Sequence, residues 1–170
     1  MVDAIDFDKL VERFYEPLYQ FAYSLSRDEA DSCDLVQQTF SIWSMKGQQL
    51  RDPSKVKTWL FTTLHREFLG IQRKKVRFNH VELDETNPDL PSISHTAVES
   101  LDAETVLLAL AEVEEIYQAP VALFYLQDFS YNEIGAVLNI PLGTVKSRLA
   151  RGLARLQSLL IDKKPMGGLE

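Results

Sequence analysis

The sequence predicts an all-α protein of two small helical domains joined by a flexible acidic linker. Three observations carry the prediction. Apolar residues recur at helical spacing through residues 1–77 and again through 101–162. Helix-start signals stand where the periodic runs begin. Between the runs, residues 78–100 lose the periodicity and hold Pro88, Pro91 and no Lys or Arg, so they read as a linker. A chain of 170 residues has room for two small helical domains, and 45% hydrophobic with 25% charged residues is a soluble globular composition. Residues 163–170 read as an unstructured tail.

The first domain reads as three helices. Leu10, Phe14, Leu18, Phe21 and Leu25 mark one face of the first. Ser26 to Glu29 has the capping-box pattern for a second helix that runs to about Met45 and ends at Lys46-Gly47. Asp52-Pro53 offers an N-cap and a first-turn proline for the third. Its stripe is Val56, Leu60, Leu64, Phe68 and Ile71, and Arg73, Lys74 and Lys75 place cations at its C-terminus, where the helix dipole favours them. The second domain reads as four helices. One covers about 101–116, one opens at Pro120, a short one opens at the Ser130–Glu133 capping box, and a long one runs from Leu142 to about Leu160.

Composition narrows the function. The acidic, amphipathic N-terminus lacks the basic start and apolar core of a secretion signal, and no apolar run nears the roughly 20 residues of a membrane span. A cytoplasmic protein without membrane contact is the expectation, and the single cysteine, Cys33, agrees with a reducing compartment. His65, His80 and His95 have no metal-ligand spacing, so no metal or other cofactor is expected. The net charge of −7 hides a strong pattern: residues 46–77 carry +7, residues 143–164 carry +5, and the segments between are acidic. Two basic helices in an acidic chain point to a polyanion as partner, because local patches set the field that it meets. Solvated helix faces would give the same charge pattern.

The stretch 130–160 separates these readings. A short capped helix, a three-residue turn at Asn139-Ile140-Pro141 and a longer helix is helix-turn-helix spacing. Ile134, Val137 and Leu138 can pack on Val145 and Leu149, with Gly135 permitting close approach and Asn139 tolerating a left-handed turn. Along the long helix, Val145, Leu149, Leu153 and Leu156 form an apolar back. Thr144, Ser147, Arg148, Arg151 and Arg155 form a polar front, with Lys146 and Ala150 along its edge. That layout suits a recognition helix in the DNA major groove.

This motif, from Ser130-Tyr131-x-Glu133-Ile134 through Leu138-Asn139-Ile140-Pro141-x-Gly143-Thr144-Val145-Lys146-Ser147-Arg148-Leu149-x-Arg151, resembles the promoter-binding region 4 of bacterial sigma factors of the extracytoplasmic-function (ECF) group. The first domain resembles region 2 in Phe14-Tyr15-x-x-Leu18-Tyr19-x-Phe21-Ala22, in Asp31-x-x-Asp34-Leu35-Val36-Gln37-Gln38-Thr39-Phe40, and in Thr58-Trp59-Leu60-Phe61. The resemblance implies that Asp31, Asp34, Gln37, Gln38 and Phe40 dock on the coiled coil of the largest subunit of core RNA polymerase, with a second contact on the flap of the second-largest subunit. It implies minus-10 strand capture by Leu50, Arg51, Lys55, Lys57, Trp59, Arg66, Arg73 and Lys74, with Trp59 open between stacking on a base and filling the core. It assigns minus-35 base reading to Lys146, Ser147 and Ala150, and phosphate contacts to Thr144, Arg148 and Arg151. Arg155 joins that surface from its place on the helix. The group departs here in Gln38, where glutamate is usual, and in Leu50 and Arg66, where an aromatic and an asparagine are common.

The expected function is therefore a dissociable specificity subunit that brings polymerase to promoter DNA under the control of an anti-sigma protein. It is not expected to be an enzyme, since no phosphate loop, metal set or nucleophile constellation is present. The rival reading is a stand-alone transcription factor that binds DNA through 130–160 and uses residues 1–77 as a sensor or dimerisation domain.

Overall fold

A computed structural model describes residues 5–75 and 102–163. Within these residues the chain forms seven helices: α1 (Phe7–Ser26), α2 (Glu29–Lys46), α3 (Val56–Lys75), α4 (Ala103–Leu110), α5 (Glu115–Tyr125), α6 (Tyr131–Leu138) and α7 (Leu142–Lys163). Short 3-10 turns at Gly47–Gln49 and Pro53–Lys55 connect α2 to α3. No helix among the described residues is long and apolar enough to cross a membrane. The linker and tail readings lie outside the described residues.

α1, α2 and α3 pack against one another, and of the stripe expected for the first helix Leu10, Phe14, Leu18 and Phe21 are in the core, while Leu25 packs half-buried against it. Helix starts follow local chemistry, with one correction to the sequence reading. Asp28, not Ser26, caps α2, its carboxylate accepting the Asp31 N–H at 2.9 Å. The Ser26 hydroxyl is engaged by the Asp28 carbonyl and the Ser32 hydroxyl, and an ionised acceptor makes the stronger cap. Asp52 caps the turn that leads into α3, accepting from the Ser54 N–H at 3.0 Å and hydroxyl at 2.7 Å. These bonds hold its carboxyl below the usual value.

The second set differs from the expected boundaries in two places. The helix expected over 101–116 ends at Leu110, because Glu112 and Val113 tighten into a turn on the Ala109 and Leu110 carbonyls. The buried Gln118 amide then captures the Val113 carbonyl at 2.7 Å and holds that turn. α5 begins at Glu115, so Pro120 lies inside it rather than at its start. α7 packs along α5, and a Cβ on Gly152 would lie 2.5 Å from the Val121 side chain, which explains a glycine inside a long helix.

The largest departure from the sequence reading is that the two helical sets touch. α3 packs on α6 and α1 packs on α5, giving one continuous apolar core through both. Phe61 of α3 connects them, with Phe21 at 5.4 Å on one side and Phe129, before α6, edge-on at 5.1 Å on the other. Helical periodicity shows which face of a helix is buried but not whether the cover comes from its own domain.

Candidate nucleic-acid and partner surfaces

The helix-turn-helix is built from its caps outward. The Ser130 hydroxyl accepts the Glu133 N–H at 3.2 Å, and the Glu133 carboxylate accepts the Ser130 N–H at 2.8 Å, completing the capping box expected there. α6 ends at Asn139 in the left-handed conformation (φ 54°, ψ 51°). The Ile140 N–H then reaches back to the Gly135 carbonyl at 3.1 Å, and a Cβ on Gly135 would meet the Ile140 carbonyl at 3.1 Å. These constraints fix the angle at which α7 leaves, with Val145, Leu149, Leu153 and Leu156 buried against the rest of the domain.

On the opposite side of α7, Lys146 and Arg155 are exposed, while Thr144, Ser147, Arg148, Ala150 and Arg151 are half-buried. The Ser147 hydroxyl donates to the Thr144 carbonyl at 3.1 Å, which leaves its lone pairs to face a donor. Arg148 lines a cleft of about 290 Å³ between the two domains, together with Leu25, His65 and Phe68 from the first. Gln118 lines the same cleft, and its Oε1 has no hydrogen-bond partner among the described residues. Burial pushes the His65 imidazole down to a pKa of about 4, so it is neutral at physiological pH.

The second basic surface is on α3 and the loop before it. Arg51, Lys55, Arg66, Arg73 and Lys74 are exposed, and Leu50 is half-buried against the core. Trp59, Arg66 and Arg73 recur every seven residues, which places them along one face of α3. Trp59 is half-buried, with Trp43 edge-on at 5.1 Å, so one part of the ring serves the core and another faces solvent. Lys57 lies on the other side of α3. Its ammonium donates to the Gln127 carbonyl and sits 4.6 Å from the Phe129 ring centre, so it is engaged by the second domain.

The third surface is on α2, where Asp31, Asp34, Gln37 and Gln38 are all exposed. Phe40 does not share that surface. Only 6% of it is exposed and its ring meets Phe7 edge-on at 6.3 Å, because the same α2 periodicity that exposes its neighbours turns it inward. Asp31 forms an exposed ion pair with Lys75 at 3.8 Å, worth little on its own.

Two sets of residues were not found by the sequence reading. Gln127 and Phe129, which join the domains, sit in a short connection without periodicity. Tyr15, Tyr19 and Tyr23 form a ladder on α1 at four-residue spacing, with Tyr19 and Tyr23 stacked at 6.2 Å. Desolvation and the neighbouring Cys33 thiol raise the pKa of the Tyr15 phenol, which places that half-buried thiol beside the ladder. The four-residue spacing is visible in the sequence, where Tyr15 and Tyr19 enter only through the motif that resembles region 2.

The description "Sigma-70 region 2" matches residues 10–78, and "Sigma-70, region 4" matches residues 103–156. The chain is 32% identical over 162 residues to the ECF RNA polymerase sigma factor SigE of Mycolicibacterium smegmatis, spanning 90% of this chain and 61% of that protein. It is 28% identical to the ECF sigma factor SigM of Bacillus subtilis, spanning 89% of this chain and 93% of that one. Among solved structures, the sigma factor RpoE in complex with the anti-sigma factor NepR from Bartonella quintana superposes with a TM-score of 0.70 at 29% identity, covering 95% of this chain and all of that one. CnrH in complex with the cytosolic domain of CnrY shares the fold at a TM-score of 0.62 and 22% identity, over 92% of this chain and 88% of that one. The protein belongs to the sigma-70 family and to its ECF group.

Proposed function

We propose that the chain is the dissociable promoter-specificity subunit of a bacterial RNA polymerase, acting in the cytoplasm with no catalytic site of its own. The observation that carries this reading is the presence of both DNA-facing regions, in order, on one chain. In this reading Asp31, Asp34, Gln37 and Gln38 offer carboxylates and amides to arginines of the largest-subunit coiled coil. Phe40 supports that face from within the core rather than making the contact, and region 4 takes the flap of the second-largest subunit.

Arg66, Arg73 and Lys74, with Leu50, Arg51, Lys55 and Trp59 at the preceding loop, hold the melted minus-10 strand. Cations grip its phosphates, and the exposed part of the indole is available to a base. Lys146, Ser147 and Ala150 read minus-35 bases, while Thr144, Arg148, Arg151 and Arg155 set the helix on the phosphates. An anti-sigma protein controls the chain by covering both regions.

Substitutions in α7 test the division of roles. With holoenzyme on a panel of minus-35 variants, Lys146→Ala changes which bases are preferred. Arg151→Ala lowers affinity for every sequence and reduces the slope of log affinity against log salt by about 1. Uniform weakening by both substitutions would overturn the division between base reading and phosphate contact.

A further inference from the structure

We propose that the cleft between the two helical sets binds a flat, uncharged one- or two-ring molecule that donates an N–H or O–H to Gln118. The cleft has a volume of about 290 Å³. An apolar cavity of roughly 150 Å³ already accommodates benzene, so a fused two-ring molecule is within the reach of this one. Its apolar walls come from both sets, Leu25 and Phe68 from the first and Ile116, Pro120 and Ile140 from the second.

The polar groups of the lining set the chemistry of the occupant. Gln118 is only 1% exposed, and its side-chain N–H donates to the Val113 carbonyl at 2.7 Å. Its Oε1 is buried with no hydrogen-bond partner among the described residues. Turning the amide over would set its oxygen against the Val113 carbonyl oxygen, so the unpaired group is an acceptor. Native proteins rarely leave a buried acceptor unpaired, and an occupant with an N–H or O–H satisfies this one. An apolar molecule of the same shape would leave Oε1 as it is and gain nothing from it. His65, also in the lining, is neutral at physiological pH and offers no countercharge. The charged side chains of the lining are Glu115 and Arg148, of opposite sign. A charged occupant would therefore give up its hydration without meeting a net countercharge.

The test titrates the full chain with two probes of one shape. Indole carries an N–H, and benzofuran has the same pair of rings with an acceptor oxygen in its place. Ile116 and Ile140 line the cleft, so their methyl NMR signals report its occupancy, with the exposed Ile71 and Ile161 as references. Indole shifts the Ile116 and Ile140 signals saturably and leaves the references unmoved. Benzofuran binds at least about tenfold more weakly, because its oxygen meets Gln118 Oε1. Gln118→Met removes the acceptor, and the two probes then bind alike. Ala119→Leu keeps the acceptor but fills the cleft, so neither probe binds. Circular dichroism and a cooperative thermal transition establish that each variant is folded. Gln118→Met also unpairs the Val113 carbonyl, and if it does not fold, the comparison of the two probes on the unsubstituted chain decides. Shifts that do not saturate or that spread to the references, equal affinity for indole and benzofuran, or undiminished indole binding by folded Ala119→Leu would overturn the proposal. These readings need neither polymerase nor DNA, so their failure leaves the sigma assignment untouched.

Discussion

Single residues in this protein carry effects that their type alone does not announce. His65 is buried beside Phe21, and its pKa of about 4 lies below the ordinary value of 6.5. The unfolded chain therefore binds more protons between these values, so stability is fully present above pH 6.5 and declines as pH falls toward 4, by at most about 3 kcal/mol. Asp52 and Asp102, held below 3.8 by their capping bonds, lose their contribution only at lower pH. Urea unfolding at pH 7 and pH 5 separates the two windows, and His65→Leu flattens the curve between them. Two glycines make a second contrast. Gly70 has nothing within 4 Å of a Cβ position, whereas Gly152 meets Val121 at 2.5 Å and Tyr117 at 2.9 Å. Gly70→Ala raises stability by about 0.5–1 kcal/mol through helix propensity, and Gly152→Ala lowers it by about 1–3 kcal/mol through overpacking, both read by chemical denaturation.

At the scale of elements, the helix-turn-helix was the most legible part. Ser130 and Glu133 at capping-box spacing, Asn139 in the turn and the apolar back from Val145 to Leu156 are local signals, and each forms as the sequence indicates. Ser130→Ala removes the hydroxyl acceptor and costs about 1 kcal/mol, visible as a lower thermal midpoint of the full chain. Boundaries were less legible where competing groups decide them. Ser26 and Asp28 both could cap α2, and the carboxylate prevailed. Pro120 resembled a helix start, yet Glu115 and Ile116 precede it in the same helix because Gln118 fastens the turn before them. On the surfaces proposed for partner and DNA, residue identity gave the charge, but only helix phase separated exposed Gln38 from buried Phe40, and outward Arg66 from Lys57 on the junction side.

The whole molecule has alternating charge blocks and a core that runs through both regions. The charge blocks are visible in the sequence because they are contiguous. The contact between α3 and α6 is not, because it joins residues separated by a linker and rests on a few groups: Lys57 and Phe61, which periodicity assigns to their own helix, and Gln127 and Phe129, which lie in a connection without periodicity. The central claim is that this molecule is a sigma factor that works by binding core polymerase. The most direct measurement is a titration of the labelled full chain into bacterial core RNA polymerase, with Asp34→Arg as the matched variant. The account predicts saturable binding that the reversed charge on the exposed α2 face abolishes while the variant stays folded. Absence of binding by the folded chain, or equal binding by Asp34→Arg, would contradict it.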